Sequence, residues 1–504
     1  MDRVEAQPHR VVVVGHGMVA TRFLDDLDRC ARTTSTHLDV TVLGDEPHEP
    51  YNRLMLSEVV AGRADITSLT LPRTPAGITV HRGTSAVRLD RNRRVVVDEH
   101  GHEHAYDTVV LATGAEAYLP PVDGADDPAH GTRGVRALRT IDDCRALLAA
   151  CSTVSHVTVV GGGLLGIEIA CGLRTRGVDV TIVHLGGHVL DRQLDAASAA
   201  LAEHTLRDLG VDVRTDVMLT QVVRDEGAVS AVRLGDGTQI ATDLVVLSAG
   251  VVPRVGLARE AGLPTARGVV VDLDLRSPED RSVAAIGDCA ETPDGCPGLL
   301  APGWDQARRL ARQLCGLDDM PDQGSGAAVL RLKAVGLEVV TLGETPPADE
   351  FAADGPRVVS LVDAYARRSV RIAVRDRRVI GAVCVGAPEV AADLTIAYER
   401  RTPVPVDPAL LLVPGRAATG VPTTENPTVM PGSATVCRCN GVTKQEIVAA
   451  HIAGDRSVAE VACRTRATTG CGGCTSVVDG LIEWMNDIDP DVVVASPITA
   501  PAST

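Results

Sequence analysis

The chain has 504 residues, 45% apolar but only 2% aromatic, and a formal net charge of -17. That length calls for about three or four hydrophobic cores, built on Ala, Val and Leu rather than on rings. The acidic balance argues against a nucleic-acid partner. No run of about 18 apolar residues offers a membrane span, and residues 1–10 carry no apolar signal region, so a cytoplasmic protein is expected.

Residues 11–14 are four valines, followed by Gly15-His16-Gly17-Met18-Val19-Ala20 and then a helical pattern. Such an apolar run reads as a buried parallel strand. Gly-x-Gly-x-x-Ala permits a tight turn and lets the backbone approach a pyrophosphate at the N-terminus of the next helix. Gly15, Gly17, Met18, Val19 and Ala20 are therefore candidate nucleotide contacts. Residues 38–43 read as a second strand. Asp45 or Glu46, about 25 residues beyond the motif, can accept from a ribose diol, and nothing local separates the two. Arg53 and Ser57 can reach phosphate oxygens, with a plain surface loop as the alternative. Residues 108–111 read as a strand that runs into Ala112-Thr113-Gly114, small residues at a chain crossing.

After a linker rich in Pro, Gly and Asp at 121–135, residues 157–160 lead into Gly161-Gly162-Gly163-Leu164-Leu165-Gly166, a complete Gly-x-Gly-x-x-Gly. The helix it opens ends near Gly177, and 180–183 is the next strand. Two such units in one chain suit a bound flavin nucleotide and an exchangeable nicotinamide nucleotide. His184 stands where an acid would favour NAD and an Arg NADP; with no Arg adjacent, NADH is weakly preferred. Glu168 either faces the nicotinamide or simply complements the helix N-terminus. Residues 234–238 are a hairpin turn, and 244–250 is a buried strand expected to return the chain to the first domain. Gly287-Asp288 offers a carboxylate to a ribityl hydroxyl, with a turn Asp as the plain alternative. Pro302 and Trp304 lie in the first turns of a helix whose amides can polarise a flavin carbonyl. Residues 329–332, 358–361, 370–374 and 379–383 are short strands of a small separate domain. Residues 402–433, rich in Pro, Thr and Gly, are a linker.

Nine of the thirteen cysteines are scattered like small buried hydrophobes. The rest form two pairs, Cys437-x-Cys439 and Cys471-x-x-Cys474. Between them lie two capping boxes, Thr443 with Glu446 and Ser457 with Glu460, each opening a helix that helps to bring the pairs together. A third helix from Val477 aims its amides at the thiolates. Four thiolates suit a 2Fe-2S cluster or zinc. The Cys-x-Cys spacing and the redox setting favour iron-sulfur, and two disulfides rank last for a cytoplasmic chain. Cys463 is expected to be a buried bystander, with a substitute ligand as the alternative.

These motifs, with Pro50-Tyr51-Asn52-Arg53, Leu56-Ser57, Gln193-Leu194-Asp195 and Ala301-Pro302-Gly303-Trp304, resemble the flavin part of bacterial assimilatory nitrite reductase large subunits. They equally resemble the electron-transfer subunit of assimilatory nitrate reductase. The cysteine region resembles the bacterioferritin-associated-ferredoxin-like (BFD-like) 2Fe-2S module of those proteins. The resemblance covers about residues 10–486. It implies an α/β fold with two Rossmann-like domains, a small α+β domain like that of rubredoxin reductases, and a helical 2Fe-2S domain. The expected division is FAD binding at 8–122 and 245–322, NAD(P)H binding at 123–244, the α+β domain at 323–402, a linker at 403–433, the cluster domain at 434–487 and a tail at 488–504.

The implied activity is an NAD(P)H-dependent flavin oxidoreductase that passes electrons through the cluster to a nitrate or nitrite reductase catalytic protein. A homodimer is the expected assembly. Two departures stand out. Glu58 occupies the position where related ferredoxin reductases often have a Lys near the flavin. The sirohaem and 4Fe-4S region of full nitrite reductases has no counterpart here, so this chain is not expected to reduce nitrite alone. Three other readings remain. A rubredoxin- or ferredoxin-type reductase would serve another acceptor. A disulfide reductase needs redox cysteines that residues 44–80 lack. A non-enzymatic iron-sulfur sensor would not support NADH-driven reduction of an added acceptor.

Overall fold

The computed structural model describes residues 7–125, 134–296, 298–317, 329–347, 355–412, 430–437, 440–470 and 472–487. The valine run becomes the centre of a five-stranded parallel sheet. His9–Val14 pairs with Leu38–Gly44 on one side and Thr108–Leu111 on the other, with Thr79–Arg82 and Val283–Ala285 at the edges. Val11 to Val14 are buried on both faces, as a strand covered by helices on each side must be. Helices Met18–Thr34 and Leu300–Leu314 pack together over this sheet, burying Phe23, Leu24, Leu27, Ala307 and Leu310.

A second five-stranded parallel sheet repeats the plan around His156–Val160, flanked by Asp179–Val183 and Leu244–Leu247. This corrects one expectation. Residues 244–247 do not return to the first sheet, because they lie between His156–Val160 and Val135–Ala137 in the second. The apolar run Leu-Val-Val-Leu reports burial but not which of two similar sheets buries it. The chain returns only afterwards, where Val251–Pro253 pairs antiparallel with Ala115–Ala117.

The region after residue 329 is an antiparallel five-stranded sheet. All four expected strands are present, together with Val339–Gly343 and helix Pro388–Glu399, which the sequence reading did not single out. One face buries Val370, Ile372 and Val374 against that helix. The other contributes Leu332, Leu337, Val339 and Val383 to the core of the second nucleotide unit. The cysteine region folds into helices Lys444–Ile452, Val458–Thr465 and Thr475–Asp487. Both capping boxes form, with reciprocal bonds between Thr443 and Glu446 and between Ser457 and Glu460. Of the scattered cysteines, Cys144, Cys171, Cys289, Cys315 and Cys384 are buried, but Cys463 is exposed, contrary to expectation. Helix Val458–Thr465 places only Val461 in the core, and Cys463 falls on its outer side. Residues 413–429 of the expected linker and the tail at 488–504 lie outside the described residues.

Candidate active site and cysteine centre

Both glycine turns open on one cavity of about 1490 Å³. Gly15 (φ +108°) and Gly161 (φ +119°) turn the chain sharply, and a Cβ on either would sit 2.2 Å from a backbone carbonyl oxygen, of Ala112 or Ser248. Gly17 and Gly163 face open space. Three helices begin at this cavity, after Gly17, Gly163 and Leu299, and none has a side-chain cap. Of the other helices, four are capped by Thr140, Asp195, Thr443 and Ser457, while Leu56–Val60, Gly256–Glu260 and Pro388–Glu399 also lack a side-chain cap. The uncapped N–H groups suit phosphate and other anionic oxygens. His16 Nδ1 and His184 Nε2, each at a glycine turn, are buried without a hydrogen-bond partner among the described residues. These features fit two nucleotides meeting in one cavity.

Gly15, Gly17, Met18, Val19, Ala20, Ala112, Thr113, Gly114, Gly287, Asp288 and Trp304 all line the cavity, as do Gly161, Gly163, Glu168 and His184. Both acids after the second strand line it too. Asp45 pairs with Arg254 at 2.6 Å, whereas Glu46 accepts from the Tyr51 hydroxyl at 2.7 Å and from Arg53 at 2.5 Å. Arg53 donates its other amino group to the Arg139 carbonyl, and Arg139 binds Asp288 at 2.7 Å. Tyr51, Arg139 and Arg254 therefore orient the expected carboxylates, and their spacing in the chain carried no signal of it.

Three expected residues do not line the cavity. Ser57 is buried and donates to Glu168 at 2.5 Å, so a contact with phosphate gives way to one with a carboxylate. Gly166 packs under the second turn, where a Cβ would lie 1.9 Å from the Gly161 oxygen. Pro302 stays behind its helix start while Trp304 reaches the cavity. Glu168 also accepts from the Lys333 backbone N–H at 3.0 Å, with Lys333 Nζ 3.6 Å away. The cation beside this acid thus comes from the antiparallel domain. Glu58 instead pairs with Arg63 at 2.7 Å.

Burial and the nearby Arg82 pull the His16 imidazole down to about 4 from 6.5. It donates to, or accepts from, Thr74 Oγ1 at 3.0 Å. The unfolded chain takes up this proton first, so His16 costs stability as the pH falls from about 6.5 to about 4. Thermal melts across that window should show a shallower decline for His16→Asn than for the wild type. Parallel slopes would contradict the assignment.

In the cysteine region Cys437 is 1% exposed, and the Cys474 thiol beside it holds it well below the usual thiol range. Asn440 Nδ2 lies 3.8 Å from Cys437 Sγ. Cys439 and Cys471 lie outside the described residues. Two convergent thiols, one already favouring the thiolate, fit a metal-cluster site. The cysteine domain abuts the cavity, which Gly473 helps to line. No cysteine lines the cavity itself among the described residues.

Two nucleotide turns sharing one cavity, beside a thiol-rich domain, define an NAD(P)H-dependent flavin oxidoreductase with an appended 2Fe-2S domain. The chain belongs to the pyridine nucleotide-disulphide oxidoreductase family, whose model matches residues 9–308; residues 435–484 match the BFD-like [2Fe-2S] binding domain. It is 31% identical over 480 residues to a nitrite reductase [NAD(P)H] of Bacillus subtilis (strain 168), covering 94% of this chain and 57% of that protein. It is also 31% identical over 503 residues to the assimilatory nitrate reductase electron transfer subunit of the same organism, covering 98% of this chain and 61% of that one. The chain thus spans little more than half the length of these relatives. Among solved structures it resembles putidaredoxin reductase in its covalent complex with putidaredoxin, with a TM-score of 0.69, 26% identity and coverage of 80% and 95%. No described helix is long and apolar enough to cross a membrane.

Proposed function

We propose that this protein takes electrons from NAD(P)H and delivers them, through its own cysteine domain, to a nitrate or nitrite reductase catalytic protein. The observation that carries this is the position of Gly473, in the cysteine loop, on the wall of the cavity that both glycine turns share. When bound, FAD accepts a hydride and yields its electrons singly, while a 2Fe-2S cluster carries one at a time. The uncapped amides after Gly17 hold the FAD pyrophosphate, and Asp45 or Glu46 takes its ribose. Asp288 serves the ribityl chain, and Trp304 with the helix start from Leu300 closes the flavin end. The amides after Gly163 hold NAD(P)H, Gly166 lets that helix pack close, and Glu168, fixed by Ser57 and Lys333, orients the nicotinamide end. Cys437, Cys439, Cys471 and Cys474 would hold the cluster, which would supply one-electron transfer there.

In domain terms, FAD belongs to the first sheet and NAD(P)H to the second, with the 323–402 domain bracing both. The names of the two Bacillus relatives support the nitrogen-assimilation acceptor. Anaerobic addition of NADH to the purified protein should bleach the flavin absorbance and then produce the electron-paramagnetic signal of a reduced 2Fe-2S cluster. Bleaching with neither NADH nor NADPH, or zinc in place of iron, overturns the reading. Sedimentation of the same sample tests the expected homodimer.

A further inference from the structure

The cysteine domain does not hang freely from its linker. Asn52, the cap of the short turn Arg53–Met55, is 4% exposed although it lies in a connecting loop. Its Oδ1 accepts from the Leu54 N–H, and its Nδ2 donates to the carbonyls of Thr469 at 3.0 Å and Gly470 at 2.5 Å. Those carbonyls stand in the loop that leads into the second cysteine pair, more than 400 residues away in sequence. Gly472 (φ +75°) approaches the same turn so closely that a Cβ would meet Met55 Sδ at 3.0 Å. A second bridge lies across the loop. Arg22, ion-paired with Asp26 at 2.8 Å, donates to Asn440 Oδ1 at 3.0 Å and lies over the Trp304 ring at 5.9 Å. Asn440 in turn holds the Arg466 carbonyl and Thr469 Oγ1.

From these contacts we infer that Asn52 is a latch. It holds the cysteine loop against the flavin cavity, so that transfer from flavin to cluster takes place in a docked arrangement. The inference rests on the function proposed above. Asn52 is a positioning residue and does not line the cavity. A buried amide facing two carbonyls matters because both carbonyls lose their donor if it goes. A swinging domain would gain nothing from such a pair of buried bonds at its working surface.

Asn52→Asp isolates the latch. The carboxylate still caps Leu54, but it faces the two carbonyls with an acceptor instead of a donor. In anaerobic stopped-flow with holoenzyme, flavin bleaching by NADH should stay within about twofold of wild type. Each reduced flavin should then pass its first electron to the cluster at least about tenfold more slowly. Small-angle scattering of the oxidised variant should show a larger radius of gyration. Cluster reduction within twofold of wild type overturns the latch, whatever the scattering shows. If N52D yields no soluble protein, R22Q, which loses the Asn440 bridge, must show the same split, and wild-type cluster reduction in it likewise overturns the docked arrangement. Failure of NADH to reduce the cluster in the wild type counts against the proposed function instead.

Discussion

Gly166→Ala is expected to give a yellow, folded protein whose flavin is reduced by NADH with kcat/KM lowered about 100-fold, or roughly 2.7 kcal/mol of lost transition-state stabilisation. The cause is local and steric. A Cβ at 166 would lie 1.9 Å from the Gly161 oxygen, and both partners are backbone. Relief comes only by moving the start of helix Leu164–Thr175 away from its turn, which displaces the uncapped amides that receive the nicotinamide nucleotide. Overpacking of this kind also costs about 1–3 kcal/mol of stability, visible as a lower Tm. FAD content should be unchanged, because the first glycine turn lies in a different sheet. Gly15→Ala should give the opposite pattern. At φ +108° with a carbonyl 2.2 Å from its Cβ, it should strip FAD from the protein. Equal flavin content and equal kcat/KM in both variants would refute the division of labour between the two turns.

Replacing Cys437 or Cys474 with Ala should separate the two halves of the electron path. Cys437 lies in the small core formed with Met430, Val442, Ile447, Val461 and Leu481, so its loss removes both a proposed ligand and a buried side chain. Iron content should fall, and reduction of an external one-electron acceptor at steady state should drop at least about 100-fold, because an incomplete ligand set does not retain the cluster. Flavin bleaching by NADH should remain within about twofold of wild type, since neither cysteine lines the cavity. The Tm of the cysteine domain should also fall, as metal binding contributes to its folding. Undiminished acceptor reduction in these variants would mean that electrons leave directly from the flavin.

The parts of the site that were legible in the sequence share one property. Each is encoded within a short stretch. The valine run and Gly15 to Ala20 carry the signals for strand, turn and helix N-terminus within ten residues. The same holds for residues 157–166 and for the two capping boxes. Strand 244–247 shows the limit of such reading. Its composition demanded burial, and either parallel sheet could have satisfied that demand. Cys463 shows it again, because a cysteine in an amphipathic helix is buried or exposed according to which face meets the neighbours.

The sequence by itself determined the two nucleotide turns, the spacing of the paired cysteines and the caps of the helices between them. Apolar runs, glycine spacing and capping pairs act over a few residues, so chain order suffices to read them. Only the tertiary structure decided which polar groups meet. Ser57 and Lys333 close on Glu168 across 111 and 165 residues, and Asn52 reaches Thr469 across 417. Those partners are chosen by how sheets and domains pack, because a buried donor or acceptor must bond to whatever polar group the packing brings within reach.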